Sequence, residues 1–181
     1  MASALRVFWS KGYEGASLTE LTKAMGVTRP SLYAAFGNKE SLFRKALDLY
    51  ERDKLAYMTA ALEAPTARGV AERLLRGALA MQMGSDPKGC LGVINSVACG
   101  AEAESIKAEV VKRRASSDAA LLRRFEKAKA DGDLPDGIDP SWLVRYLTAV
   151  LQGLCLQAGS GTPVDELEGI VTTTLALWPG R

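Results

Sequence analysis

The chain has 181 residues, of which 48% are hydrophobic and 24% charged, and it carries a formal net charge of +2. Those proportions belong to an ordinary globular protein and exclude a long disordered or fibrous chain. Histidine is absent and the three cysteines (Cys90, Cys99, Cys155) are widely spaced. Ser-His and Cys-His nucleophiles, zinc-type spacing and a disulfide framework are therefore all excluded, and no cofactor or metal is expected.

No acid–base pair or phosphate-cradling glycine loop stands out either, so an enzyme is not expected. The first ten residues are too short and interrupted for a secretory leader, and no apolar run reaches the length of a membrane span. A cytoplasmic protein with no membrane partner is the expectation. Charge is unevenly distributed along the chain. From Met1 to Lys45 seven basic residues face three acidic ones, a net +4, and the rest carries 16 basic against 18 acidic, a net −2. A basic first quarter on a mildly acidic body suits a nucleic-acid-binding end.

Residues Ala2 to Ser10 place Leu5, Phe8 and Trp9 at helical spacing, and Lys11-Gly12 is expected to end this first helix. Ser17 and Glu20 then form a capping box ahead of Leu18, Leu21 and Met25, a helix of about two turns stopped at Gly26. Thr28 is an N-cap candidate for a second short helix, with Pro30 in its first turn and Leu32 and Phe36 on its buried side. The other side of that helix presents Arg29, Ser31, Tyr33 and two alanines, a low, hydroxylated surface able to approach a nucleic acid closely. Helix, glycine-containing turn and helix is the helix-turn-helix arrangement, and spacing alone also allows an ordinary helical hairpin.

Asn38 caps a further helix, expected to run through Leu42, Phe43, Ala46, Leu47 and Tyr50 toward Tyr57. Lys39 sits at its N-terminus, beside free N–H groups suited to an anion. After a break at Pro65-Thr66, Val70, Leu74, Leu75, Ala78, Leu79 and Met81 predict a helix from Ala67 to Met83. Turn residues 84–89 follow, then an almost uncharged stretch, 90–100, with Asn95 and Ser96 as its polar exceptions. A long charged helix is predicted from about Ala103 to Ala130. Asp139-Pro140 and Thr162-Pro163 open the last two helices.

Those two helices are apolar on more than one stripe. Leu143, Leu147, Val150, Leu151, Leu154, Ile170 and Leu177 are assigned to a homodimer interface in which two helices from each chain make a four-helix bundle, the alternative being a bulkier core in one protomer. Neither a strand pattern nor a repeat is present.

The run Val-Phe-Trp-Ser-Lys-Gly-Tyr-Glu-Gly-Ala-Ser-Leu-Thr-Glu-Leu, followed by Met-Gly-Val-Thr-Arg-Pro-Ser-Leu-Tyr-Ala-Ala-Phe-Gly-Asn-Lys-Glu-Ser-Leu-Phe, resembles the N-terminal domain of tetracycline-repressor (TetR) family regulators. The resemblance covers residues 5 to about 50, and beyond them only helix number and order are similar. It implies an all-α homodimer with a helix-turn-helix domain, residues 1–45, and an effector-binding and dimerisation domain, residues 46–181. Ser17, Thr19, Thr28, Tyr33 and Lys39 would contact phosphates of an operator duplex, and Arg29, Pro30 and Ser31 would face base edges. Met1 falls where the family's first helix is already under way, so either the start is truncated or the basic arm that precedes that helix is missing.

The resemblance also implies a repressor released from its palindromic operator by a small molecule. Met81, Asn95, Phe125, Trp142 and Tyr146 are the candidate ligand contacts, because they combine bulk with a few polar atoms, and their composition suits a mostly apolar effector. A different mode of regulation on the same fold would use Cys90 or Cys99 as a redox-sensing thiol.

Overall fold

The computed structural model describes residues 1–97, 100 and 103–180. Among them every regular element is a helix: α1 Ala2–Gly15, α2 Leu18–Met25, α3 Arg29–Phe36, α4 Lys39–Lys54, α5 Ala56–Ala61, α6 Ala67–Ala80, α7 Leu91–Val97, α8 Glu104–Ala130, α9 Pro140–Gly159 and α10 Val164–Ala176. The all-α expectation is met. Two compact units emerge, one of Met1–Leu55 with Cys90–Val111 and one of Ala56–Gly89 with Lys112–Arg181.

The first unit closes around aromatic side chains from α1 and α4. Phe8 meets Phe43 edge-on at 5.1 Å between ring centroids, Trp9 meets Tyr50 at 4.8 Å, and Tyr13 meets Phe43 at 5.4 Å. Edge-to-face pairs of this kind add to the burial energy of the rings themselves. Leu21 of α2 and Leu32 of α3 seal the floor, and Leu91, Ile106 and Val110 complete the interior from the later stretch of chain.

Four helix boundaries differ from the expectation. First, α1 does not stop at Gly12 but kinks there, at φ 71° and ψ 176°, and takes one more turn to Gly15. Gly12 is buried, and a Cβ there would lie 3.4 Å from Ile94 Cγ2, so both the backbone angle and the close approach of α7 favour glycine. Second, α4 ends at Lys54, short of Tyr57, and a separate short helix, α5, follows. The continuous apolar spacing hides the break, which falls at the border between the two units. Third, α6 ends at Ala80 and three residues of turn replace its expected last turn. There Gln82 is buried, donating from Nε2 to the Ala78 carbonyl and accepting from the Gly89 N–H at 2.8 Å, so its side chain ties the turn to the loop beyond. Finally, the expected Thr162 cap is replaced: Pro163 stands at the N-cap of α10, with no side-chain cap.

In the second unit, α6, α9 and α10 pack on one another. Their core includes Val70, Leu74, Leu75, Phe125, Leu147 and Val171. The α5 side chain Tyr57 lies so near α6 at Gly77 that a Cβ there would sit 2.1 Å from its Cδ2. Arg124 of α8 donates to the Leu62 and Ala64 carbonyls at 3.2 and 2.8 Å, satisfying the last acceptors of the α5 segment. No helix among the described residues is long and apolar enough to cross a membrane.

Candidate nucleic-acid interface

The α2–α3 pair is built by short-range hydrogen bonds. Ser17 Oγ accepts from the Glu20 N–H at 3.2 Å while Glu20 Oε2 accepts from the Ser17 N–H at 3.1 Å, a complete capping box. Lys11 also pairs with this carboxylate. The Lys11 ammonium, then the Ser17 hydroxyl and N–H, hold the Glu20 carboxyl down at about 2. Gly26, at φ 67°, closes α2. Thr28 accepts from the Ser31 N–H and caps α3, whose first turn holds Pro30, and Gly37 ends it. These caps fix where α3 starts and stops, and hence which side chains its outer face carries.

That outer face is exposed. Thr28, Arg29, Pro30 and Ser31 are open to solvent, Tyr33 is 44% exposed, and only Leu32 turns fully inward. Arg29 reaches across the pair to donate from Nη2 to Thr19 Oγ1 at 3.3 Å, and Thr28 and Ser31 hydroxyls lie 2.9 Å apart. Ser17 and Thr19 are exposed on the same unit. Seven of the eight residues assigned to DNA from the sequence, Ser17, Thr19, Thr28, Arg29, Pro30, Ser31 and Tyr33, thus lie on the α2–α3 pair.

Lys39 differs. It is half-buried at the start of α4, with its ammonium 4.6 Å from the centroid of the Tyr13 ring. Burial pushes its ammonium down from the ordinary lysine value, and the Glu14 carboxylate opposes that. Arg44, one turn further on, is clamped between Glu40 and Glu109 at 2.9 and 3.0 Å, which ties α4 to α8.

The five candidate ligand residues divide between the two units. Asn95 belongs to the first unit, 2% exposed, where its Oδ1 accepts from the Tyr13 N–H. Phe125 is buried and Tyr146 half-exposed, the two flanking the Trp178 ring at 5.8 and 6.5 Å. Trp142 is 68% exposed with Arg145 over its ring, and Met81 caps the end of α6. Of the residues assigned to a dimer interface, Leu143, Leu147 and Leu154 are buried in the second unit's own core. Val150, Leu151 and Ile170 pack against its edge, and Leu177 is 74% exposed.

Cys90 is half-buried, with its sulfur 3.4 Å from the Tyr50 hydroxyl, and Cys99 lies outside the described residues. Among the described residues no group of acidic or cysteine side chains is placed to hold a metal ion. Two features escaped the sequence reading: the Lys11–Glu20 pair and the Asn95–Tyr13 bond, which join residues 9 and 82 positions apart.

The family model for bacterial regulatory proteins of the tetR family matches residues 1–46. The HTH-type transcriptional repressor ComR of Escherichia coli K12 is 32% identical over 179 residues, spanning 97% of this chain and 85% of that protein. This chain belongs to the tetR family. Its members are transcriptional regulators rather than enzymes. A second relative, the uncharacterized HTH-type transcriptional regulator YezE of Bacillus subtilis, is 30% identical and spans 96% of this chain and 91% of that protein. Among solved structures, a cysteine-substituted variant of the TetR-family regulator CifR, complexed with a 26-base-pair operator duplex, superposes with a TM-score of 0.92 at 39% identity. That match covers 98% of this chain and 94% of CifR. A TetR-type regulator from Rhodococcus sp. RHA1 is 38% identical with a TM-score of 0.69, over 99% of this chain and 97% of that one.

Proposed function

We infer that this tetR-family regulator is a repressor that binds palindromic operator DNA as a homodimer in the cytoplasm and lets go when a small, mostly apolar effector binds. The observation that carries the reading is the outer face of α3: a helix capped at both ends that offers Arg29, Pro30, Ser31 and Tyr33 to solvent beside the hydroxyls of Thr19 and Thr28. A helix of this size and relief fits the major groove. Arg29 can donate bidentately to guanine O6 and N7, and Pro30 can touch a thymine methyl. Ser17, Thr19, Thr28, Tyr33 and Lys39 supply donors to phosphates, which position the helix without reading sequence.

Two such helices related by a two-fold axis would address half-sites about 34–36 Å apart. The exposed apolar side chains of α9 and the α10 segment, Trp142, Tyr146, Leu156 and Leu177, support dimerisation through these elements, with residues 46–181 serving effector binding and assembly. An effector acts by binding better to the conformation whose α3 separation does not match the operator. The repressor descriptions of ComR and the operator complex of CifR agree with this reading.

Selection of bound duplexes from a random pool, with the full-length chain, tests it. A palindromic consensus with half-sites one turn apart is expected. Recovery of duplexes with no shared sequence, or of a single unrepeated half-site, would overturn it.

A further inference from the structure

The kink at Gly12 sets Tyr13–Gly15 off as a short segment beyond the break, and the first N–H groups of a helical segment have no earlier carbonyl within it to meet. One of them is met from a distant part of the chain. Asn95 of α7, 2% exposed, accepts from the Tyr13 N–H at 2.7 Å through Oδ1, and its Nδ2 donates to the Leu91 carbonyl at 2.8 Å. The amide is thereby locked in orientation by its own helix while it caps another. The next residue, Glu14, accepts at 2.8 Å from the Gly100 N–H. A turn that carries two side chains facing Lys39 is thus held from the 90–100 stretch.

Those two side chains are Tyr13, whose ring lies under the Lys39 ammonium and against Phe8 and Phe43, and Glu14, whose carboxylate acts on the same ammonium. On the reading given above, Lys39 is a phosphate contact, and the inference that follows rests on that reading. We propose that Asn95 is a positioning residue for DNA binding: by capping the Tyr13–Gly15 turn it seats the ring on which the Lys39 ammonium rests, so that displacement of α7 unseats one phosphate contact. Asn95 touches no DNA in this arrangement. It reports the position of α7 to the end of the unit that holds the duplex.

The test is the salt dependence of operator binding by the full-length chain. Each phosphate neutralised contributes to the slope of log affinity against log salt, so loss of one contact per protomer lowers the slope by about one per protomer. Asn95→Leu keeps the branched four-atom side chain and removes both hydrogen bonds, and Lys39→Ala removes the contact itself. Both are expected to lower the slope equally, and the double variant is expected to fall no further than either single one. Asn95→Asp retains an acceptor toward the Tyr13 N–H and is expected to keep the wild-type slope even if it melts at a lower temperature.

An unchanged slope in Asn95→Leu beside a reduced one in Lys39→Ala overturns the Asn95 role and leaves Lys39 as a contact. Additive losses in the double variant, or equal loss in the Asp and Leu variants, overturn it as well. An unchanged slope in Lys39→Ala removes the phosphate contact and the inference together. Should Asn95→Leu fail to fold by circular dichroism, the Asp variant alone decides, a lowered slope there overturning the proposal.

Discussion

At Gly77 two opposing effects can be weighed. In the last turn of α6, replacing glycine by alanine removes backbone entropy from the unfolded chain and in an open helix interior would stabilise by about 1 kcal/mol. Here the new Cβ would stand 2.1, 2.5 and 2.8 Å from Cδ2, Cε2 and Cγ of Tyr57, distances that no real methyl tolerates. The ring must leave its seat. Tyr57 packs against the second unit's core, and withdrawing most of an aromatic side chain costs about 2–3 kcal/mol. Gly77→Ala is therefore expected to destabilise by about 1–2 kcal/mol net. In a Tyr57→Ala background the obstacle is gone, and the same change is expected to stabilise by up to about 1 kcal/mol, a reversal of sign that additive effects cannot give. Urea unfolding followed by circular dichroism, at fixed protein concentration because assembly shifts apparent stability, measures both. Stabilisation by Gly77→Ala with Tyr57 in place would refute the close approach of α5 to α6.

Three other outcomes are expected. Arg29→Ala should cost operator binding about 1–3 kcal/mol and relax the base preference at one position of each half-site. Equal losses on operator and random duplex would refute base reading. Thr28→Ala removes the α3 cap and should cost about 1 kcal/mol in unfolding free energy, with Thr28→Ser restoring most of it. The Glu20 carboxyl, held at about 2, ionises more readily folded than unfolded. Its contribution to stability is therefore complete above the ordinary glutamate range and disappears as pH falls through that range toward 2. Lys11→Met should raise the Glu20 value measured by carbon NMR, while the bonds to Ser17 keep it below ordinary; no change would show the pair to be unformed in solution.

The part of the fold that could be read from residues is the part made by neighbours. The capping box at Ser17 and Glu20, the Thr28 and Asn38 caps and the stop at Gly26 are three- and four-residue events, and each stands where its spacing predicts. The end of α4 was hidden because Tyr57 continues the apolar period, and its departure answers to Gly77, twenty positions on. The same holds for Asn95. As a polar exception in an apolar stretch it drew attention as a ligand contact, whereas its partner, the Tyr13 N–H, is a backbone group that no side-chain pattern reveals. For Phe125, Trp142 and Tyr146, bulk and polarity were visible but exposure was not: one is buried, one open and one between.

The first unit's interior is shared between two stretches of chain separated by thirty-four residues, with Leu91, Ile106 and Val110 buried beside Phe8, Trp9 and Tyr50. A headpiece is thus not a detachable cassette. Grafting residues 1–55 onto the body of a relative would bring a reading surface whose lining had been chosen by another protein, and the graft would be expected to hold only if residues 90–111 travelled with it. Part of the first unit's own wall is encoded in the middle of the chain, so a change at Leu91, Ile106 or Val110 is a change to the packing of the N-terminal unit.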